Sequence, residues 1–297
     1  MEEAFRRGTI LQGVGGFYTA REDGADARYT LRAKKKFRRE GVSPLPGDEI
    51  LFSPGEGEEH GWIEEILPRR TLCIRPPVAN VDTLVLVFSP VPEPDLLLLD
   101  RLLARAYQQG MKAVLAVNKC DLDGALAGRL ESEYAGAGLP VCPVSAAEGT
   151  GLDALREKME GSLCCLAGQS GAGKSTLLNA LLGLDLETGE ISRKIARGKN
   201  TTRHVELIER DGLRVMDTAG FSLLEPEKNL PPEELKERYP EFLPYEGRCR
   251  FRECLHDREP GCAVAEAAAA GEINPERWGR YRELLAETRE LWRNRYD

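Results

Sequence analysis

The sequence predicts an α/β core with a β-barrel before it and a mostly α-helical segment after it. Three observations carry this. Residues 8 to 70 alternate short β-like stretches with Gly-rich turns, and from about residue 72 strands alternate with amphipathic helices. After Phe221 the strands stop.

Gly8–Val14, Phe17–Ala20, Ala27–Arg32, Asp48–Phe52 and Trp62–Ile66 are the first candidate strands. Five short strands without helical periodicity suit an OB-fold, and a small Src-homology-type barrel fits nearly as well. Next come the strand Asp82–Phe88, the helix Asp95–Gln109, the strand Ala113–Asn118 and a helix around Leu126–Tyr134. The strands Pro140–Val144 and Leu163–Ala167 flank the helix Leu152–Met159, and the helix Lys174–Leu182 leads to the strands His204–Glu209 and Leu213–Asp217. Such alternation implies a mostly parallel sheet covered on both faces. Pro-rich, charged sequence then leads through a cysteine cluster to helices at Ala263–Ala270 and Pro275–Arg295. On the last, the spacing of Trp278, Tyr281, Leu284, Leu285 and Trp292 suggests a partly buried stripe. The expected domains are residues 1–71, 72–222 and 223–297.

A chain of 297 residues with 41% hydrophobic and 30% charged residues is neither disordered nor fibrous in composition. The start, Met1-Glu2-Glu3-Ala4-Phe5-Arg6-Arg7, shows no apolar signal segment, and runs such as Leu84–Phe88 are too short to span a bilayer. A cytoplasmic, monomeric protein without a membrane partner is expected. In that reducing setting the eight cysteines point to metal ligation or burial rather than disulfides. A net charge of −8 argues against indiscriminate nucleic-acid binding, although Lys34-Lys35-Lys36-Phe37-Arg38-Arg39 is a dense basic run.

Within the α/β segment, Gly168-Gln169-Ser170-Gly171-Ala172-Gly173-Lys174-Ser175 satisfies G-x4-G-K-[ST] between a strand and a helix that continues from Thr176. Its glycines let amide N–H groups cradle phosphates at the positive end of the helix. Lys174 is expected to reach the β- and γ-phosphates, and Ser175 to ligate Mg²⁺. Asn118-Lys119-Cys120-Asp121 ends an apolar strand. The Asp121 carboxylate can accept from guanine N1–H and the exocyclic amine, which adenine cannot match. Ser145-Ala146 follows another strand, as a second base-contacting loop would. Asp217-Thr-Ala-Gly220 places Asp217 at Mg²⁺ through water and the Gly220 amide at the γ-phosphate. Of Thr201 and Thr202, in the polar segment before the next strand, Thr202 is favoured as the Mg²⁺ and γ-phosphate contact. The base-reading motif precedes the phosphate loop, the reverse of an ordinary GTPase, so the core reads as a circularly permuted P-loop GTPase using GTP/GDP and Mg²⁺.

Phe221 stands where many GTPases carry a water-orienting Gln, and a phenyl ring cannot hydrogen-bond water in that way. Slow intrinsic turnover is expected, and a GTP-binding RNA scaffold or sensor with little turnover is the alternative. A kinase with the same P-loop is disfavoured by Asn118–Asp121. Cys249-x4-Cys254-x-His256-x5-Cys262 offers three thiolates and an imidazole, a set suited to one tetrahedral structural Zn²⁺. Cys73, Cys142, Cys164 and Cys165 read as core.

The barrel, the permuted motifs and three strings together resemble the ribosome small subunit-dependent GTPase family of bacteria. The strings are Cys249-Arg-Phe-Arg-Glu-Cys254-Leu-His256-Asp-Arg-Glu-Pro-Gly-Cys262-Ala-Val, Arg75-Pro-Pro-Val-Ala-Asn80-Val-Asp82 and Gly168–Ser175. The resemblance covers nearly the whole chain. It implies an OB-fold, a permuted GTPase domain and a zinc domain that bind the small ribosomal subunit and its rRNA late in assembly, with hydrolysis stimulated by the subunit. It also implies a water-ordering role just before the switch threonines. There the family typically carries His and this chain carries Asn200, which can hydrogen-bond water but is no general base. In an OB-fold hairpin, Lys34–Arg39 would offer phosphate contacts, with Phe37 available to stack on a base.

Overall fold

Inward apolar and outward polar residues alternate along the N-terminal strands of the computed structural model, which describes residues 5–55, 59–73, 76–184, 205–218 and 230–296. The chain divides into two compact units. One comprises Met1–Leu84, Arg156–Leu166 and Leu181–Leu223, and the other Val85–Leu155, Ala167–Ala180 and Leu224–Asp297.

In the first unit, β1 (Arg6–Val14), β2 (Phe17–Glu22), β3 (Arg28–Ala33), β4 (Glu49–Ser53) and β5 (Gly61–Ile66) close a barrel in the order β1-β2-β3-β5-β4-β1. Only the β3–β5 pair is parallel among these. That closure is the OB-fold, and the Src-homology alternative falls away. Ile10, Ala20, Leu31, Ile50, Phe52 and Ile63 fill the interior. Between β3 and β4 lies a short helix, α1 (Lys35–Arg39), whose Phe37 joins that core at 5% exposure. The expectation that Phe37 is free to stack on a base is therefore corrected. A helical turn points the single apolar residue of the run inward and leaves Lys35, Lys36, Arg38 and Arg39 exposed.

Two short strands that the sequence pattern did not signal, β6 (Leu72–Cys73) and β7 (Val78–Ala79), pair after the barrel. Asn80 follows them with φ 59° and is buried. Its Nδ2 donates to Gly47 O at 3.0 Å and its Oδ1 accepts from Arg70 N at 2.8 Å. Asn tolerates the left-handed region and its amide satisfies both backbone groups, so this residue of the junction string has a structural task.

The α/β elements follow in chain order: β8 (Thr83–Phe88), α2 (Leu96–Gln108), β9 (Lys112–Val117), α3 (Ala125–Tyr134), β10 (Val141–Pro143), α4 (Leu152–Met159), β11 (Leu163–Gly168), α5 (Lys174–Leu182), β12 (Val205–Arg210) and β13 (Leu213–Thr218). In the first unit β11 runs parallel to β13, which forms an antiparallel hairpin with β12. Gln12 of β1 pairs with Glu206 of β12, and Arg21 bonds Glu209 at 3.1 Å.

In the second unit β9 and β10 are parallel. Asp95 caps α2 by accepting from Leu98 N at 2.9 Å. Helical 3₁₀ turns from Pro232 to Tyr245 lead to the helices α6 (Ala263–Ala270) and α7 (Pro275–Arg293). Tyr239, Phe242 and Tyr281 centre their shared core, with ring centroids 4.8 to 5.2 Å apart. The buried face of α7 also carries two guanidiniums. Arg277 bonds Asp100 of α2 and Glu241, while Arg280 bonds Asp100 at 2.6 Å and Glu133 of α3. The Tyr134 hydroxyl donates to Asp100 at 2.7 Å. Such burial is tolerated because every charge has a bonded partner. Among the described residues no helix is long and apolar enough to cross a membrane.

Candidate functional site

The phosphate loop occupies the turn from β11 to α5. Gly168, Gly171 and Gly173 have φ values of 137°, 80° and 89°. Gly173 is required twice over, since a Cβ there would also lie 2.4 Å from Asn118 Nδ2. Leu177 N donates to Gly173 O at 2.9 Å, starting the helix. Lys174 Nζ donates to Gly168 O and Gln169 O, both at 2.8 Å, so the cation lies across its own loop. Burial holds its pKa below the usual lysine range. Ser170 and Ser175 are exposed, Thr176 is half-buried and Ala172 is buried.

Asn118 ties three segments together. Its backbone N–H donates to Phe88 O at 2.7 Å, its Nδ2 to Ala172 O at 2.9 Å, and its Oδ1 accepts from Ala146 N at 3.1 Å. The phosphate loop and the Ser145-Ala146 loop are thus joined through one buried amide. Lys119 has φ 59° and reaches back over the phosphate loop, donating to Gly171 O at 2.7 Å and Val91 O at 2.5 Å. Asp121 is exposed in the turn closed by Leu122 N on Lys119 O at 3.0 Å. Ser145 is buried and closes its own turn. It donates N–H to Thr150 O at 3.0 Å and accepts Glu148 N on Oγ at 3.3 Å.

Gln169 has a task that its place in the motif did not signal. Its Oε1 accepts from Asp95 N at 2.9 Å and its Nε2 donates to Glu93 O at 2.8 Å. The variable second position of the phosphate loop therefore clamps the N-terminal end of α2. Any residue type satisfies the motif there, so the sequence carried no cue.

Asp217, on β13 of the first unit, is half-buried and in register with Glu206. Asn200, Thr201, Thr202, His204, Gly220 and Phe221 lie outside the described residues.

Cys249, Cys254, His256 and Cys262 bring their ligand atoms within 4.8 Å of one another. His256 Nδ1 lies 3.6 Å from Cys249 Sγ and 3.5 Å from Cys262 Sγ. A tetrahedron with Zn–S of about 2.3 Å and Zn–N of about 2.0 Å has S–N edges of about 3.5 Å, so the set fits Zn²⁺. Backbone N–H groups of His256, Ala263 and Ala265 point at the sulfurs of Cys254, Cys249 and Cys262 at 3.3 to 3.4 Å, an arrangement that favours thiolates. Burial holds the Cys254 thiol up at about 12, so as a free thiol it stays protonated near neutral pH.

Around the set, Glu259 accepts from the backbone N–H groups of Leu255, Asp257 and Arg258. Trp278 Nε1 donates to His256 O at 2.8 Å and the Tyr281 hydroxyl to Leu255 O at 2.5 Å. The half-buried stripe read on the last helix thus includes polar props for the metal loop. Cys142, Cys164 and Cys165 are buried, as read, while Cys73 is half-buried.

Two family models match the chain: the RsgA N-terminal domain over residues 7–63 and the RsgA GTPase over residues 66–227. The protein named small ribosomal subunit biogenesis GTPase RsgA from Ruminiclostridium cellulolyticum is 42% identical over 288 residues, 96% of this chain and 94% of its own length. Its namesake from Moorella thermoacetica is 44% identical over 287 residues, 94% of this chain and 96% of its own. Among solved structures, YjeQ from Thermotoga maritima matches with a TM-score of 0.81 and 32% identity over 96% of this chain and 99% of that one. YloQ, described as a circularly permuted GTPase, matches with a TM-score of 0.81 and 32% identity over 97% and 96%.

Proposed function

The chain belongs to the RsgA GTPase family, and from that premise we propose that it hydrolyses GTP to GDP and phosphate on the small ribosomal subunit during the subunit's maturation. The observation that carries the reading is the double contact of Asn118. Its side-chain amide joins the phosphate loop to the Ser145-Ala146 loop, and that juxtaposition makes one nucleotide site from motifs 50 residues apart in the chain (residues 118 and 168).

In this site Gly168–Thr176 holds the phosphates, with Lys174 exchanging its two carbonyl contacts for phosphate oxygens. Lys119 covers the base with its stem, Asp121 selects guanine, and Ser145 and Ala146 close the base pocket. Ser175, Thr202 and Asp217 offer the hard oxygen donors that suit Mg²⁺, which neutralises charge developing on the phosphates. Thr201 flanks the Mg²⁺ contact, the Gly220 amide meets the γ-phosphate, and Asn200 orients water. Cys249, Cys254, His256 and Cys262 hold one structural Zn²⁺. The protein acts as a monomer in the cytoplasm, with residues 1–71 contacting rRNA, 72–222 hydrolysing GTP and 223–297 organised around zinc.

The test is GTP hydrolysis with and without purified small subunits, with large subunits as the control. Strong stimulation by small subunits alone is expected. Turnover that no subunit changes would overturn the reading.

A further inference from the structure

The Cys/His loop is open on one side. Cys249, Cys254 and His256 share a cavity of about 420 Å³ with Lys236, Arg250 and Arg252, and Cys262 does not line it. Glu246 is the cavity's one carboxylate, so its wall is net positive. Arg250 and Arg252 are exposed, and the Lys236 ammonium donates to Cys254 O at 3.1 Å. The three sulfurs differ in the same sense. Cys249 is half-buried, while Cys254 and Cys262 are each 2% exposed. Residues 250–253, which join Cys249 to Cys254, form no helix or strand. Cys262 instead caps α6, its Sγ accepting from Ala265 N at 3.4 Å.

Cysteine oxidation follows thiolate character, exposure and a second thiol within reach, and reactive cysteines sit in electropositive, partly exposed surroundings. Zn²⁺, when bound, keeps all three sulfurs as thiolates. Cys249 then meets every condition, with Cys254 beside it on the same cavity. Cys262 has the thiolate but not the opening.

We propose that Cys249 and Cys254 form a peroxide-sensitive pair whose oxidation to a disulfide releases the metal, an inference that rests on the zinc reading above. The Cys249 sulfur attacks one oxygen of hydrogen peroxide. An S–O bond forms, the O–O bond breaks and hydroxide leaves, giving a sulfenic acid. The Cys254 sulfur then attacks the Cys249 sulfur, so an S–S bond forms, the S–O bond breaks and a second hydroxide leaves. Two electrons pass from the sulfurs to the peroxide, and two of the four ligands are lost. The cations of the wall favour both departures of hydroxide. The ligand atoms lie within 4.8 Å of one another, and the irregular segment between the two cysteines lets their sulfurs close to the ~2.0 Å of a disulfide.

The test treats the full, zinc-loaded chain with hydrogen peroxide beside a chromogenic zinc chelator, then maps its cysteines by mass spectrometry. Metal content of the untreated chain is read first. A chain that takes up no zinc overturns the zinc reading and the pair with it, whereas bound zinc that survives peroxide overturns the pair alone. Release about ten-fold faster than in chelator alone is expected, with a Cys249–Cys254 disulfide formed and Cys262 recovered as a free thiol. Dithiothreitol followed by Zn²⁺ is expected to restore the metal. Release without that disulfide, or a disulfide through Cys262, would overturn the pair. Because Cys249→Ser removes a ligand, the double variant Arg250→Gln and Arg252→Gln is used beside the parent. It keeps all four ligands and is expected to slow release on the order of three-fold. A parental rate in that variant would overturn the positive wall as the reason that Cys249 reacts.

Discussion

The phosphate loop and the Cys/His loop of the second unit are both irregular segments anchored to helices, yet they are held in opposite ways. The phosphate loop is tied by hydrogen bonds that its side-chain neighbours and its own Gln169 make to backbone groups. Asn118 reaches Ala172 O, Lys119 reaches Gly171 O, and its own Gln169 grips the Glu93–Asp95 segment. The proposed phosphate-binding groups are backbone amides, set in place by that frame. The Cys/His loop aims three sulfurs and a ring nitrogen at one point, and only N–H groups and packing oppose their crowding. One site is preorganised by the protein for its ligand. The other gathers soft ligands in a set that fits an ion, whose bonds would offset that crowding.

Removing metal tests this contrast most severely. Structural zinc contributes on the order of 10 kcal/mol in small zinc modules. A strong chelator at neutral pH is expected to abolish cooperative unfolding of the helical region while GDP affinity changes less than ten-fold, a contrast that calorimetry and nucleotide titration read together. If metal leaves and the melting profile does not move, the Cys/His loop is preorganised after all.

Arg277→Met comes next. It strips the buried carboxylates Asp100 and Glu241 of a partner, and a loss of about 3–5 kcal/mol in denaturant unfolding is expected. A loss below about 1 kcal/mol would mean that Arg280 and Tyr134 suffice to satisfy Asp100.

For the nucleotide loop, Asn118→Ala leaves Ala172 O and Ala146 N without their bonds. At about 1–3 kcal/mol for each stranded group, GDP affinity is expected to fall about a hundred-fold by titration calorimetry, with the metal still bound. Unchanged affinity would show that the two loops hold their places without the amide.

The smallest effect belongs to Gln169→Leu, which loses the clamp on α2 while keeping the backbone cradle. A three- to ten-fold weaker GDP affinity is expected, near 1 kcal/mol. Parental affinity would make the clamp a bystander.

Much of this was legible beforehand, and the reasons differ by segment. The helix Lys174–Leu182 and the helix Leu152–Met159 have the expected bounds, because glycine punctuation and amphipathic spacing are local signals. The barrel strands keep some expected ends, such as Val14, Phe17 and Ile66, and differ by one or two residues at the others, where pairing partners decide. The 3₁₀ turns of 232–245 escaped, since prolines and charges there read as linker while Tyr239 and Phe242 pack on residues far along the chain. Phe37 was misplaced because a basic run hides which way its one ring turns. The guanidiniums of α7 were unreadable for a related reason. A charged residue on a helix is presumed solvated until its carboxylates, here on α2 and α3, are brought to it.

The sequence by itself determined the motifs and the chemistry proposed for them: a G-x4-G-K-S loop, an Asn-Lys-x-Asp tetrapeptide and a soft-ligand set, each a short string legible from residue type and spacing. Only the tertiary structure decided the connections. Asn118 joins loops 28 and 54 residues away, and Gln169 reaches 74 residues back to Asp95. The physical reason is that a hydrogen bond or a stacked ring needs atoms within a few ångströms of each other. Spacing along the chain guarantees that proximity inside a turn or a helix, and only packing guarantees it beyond them.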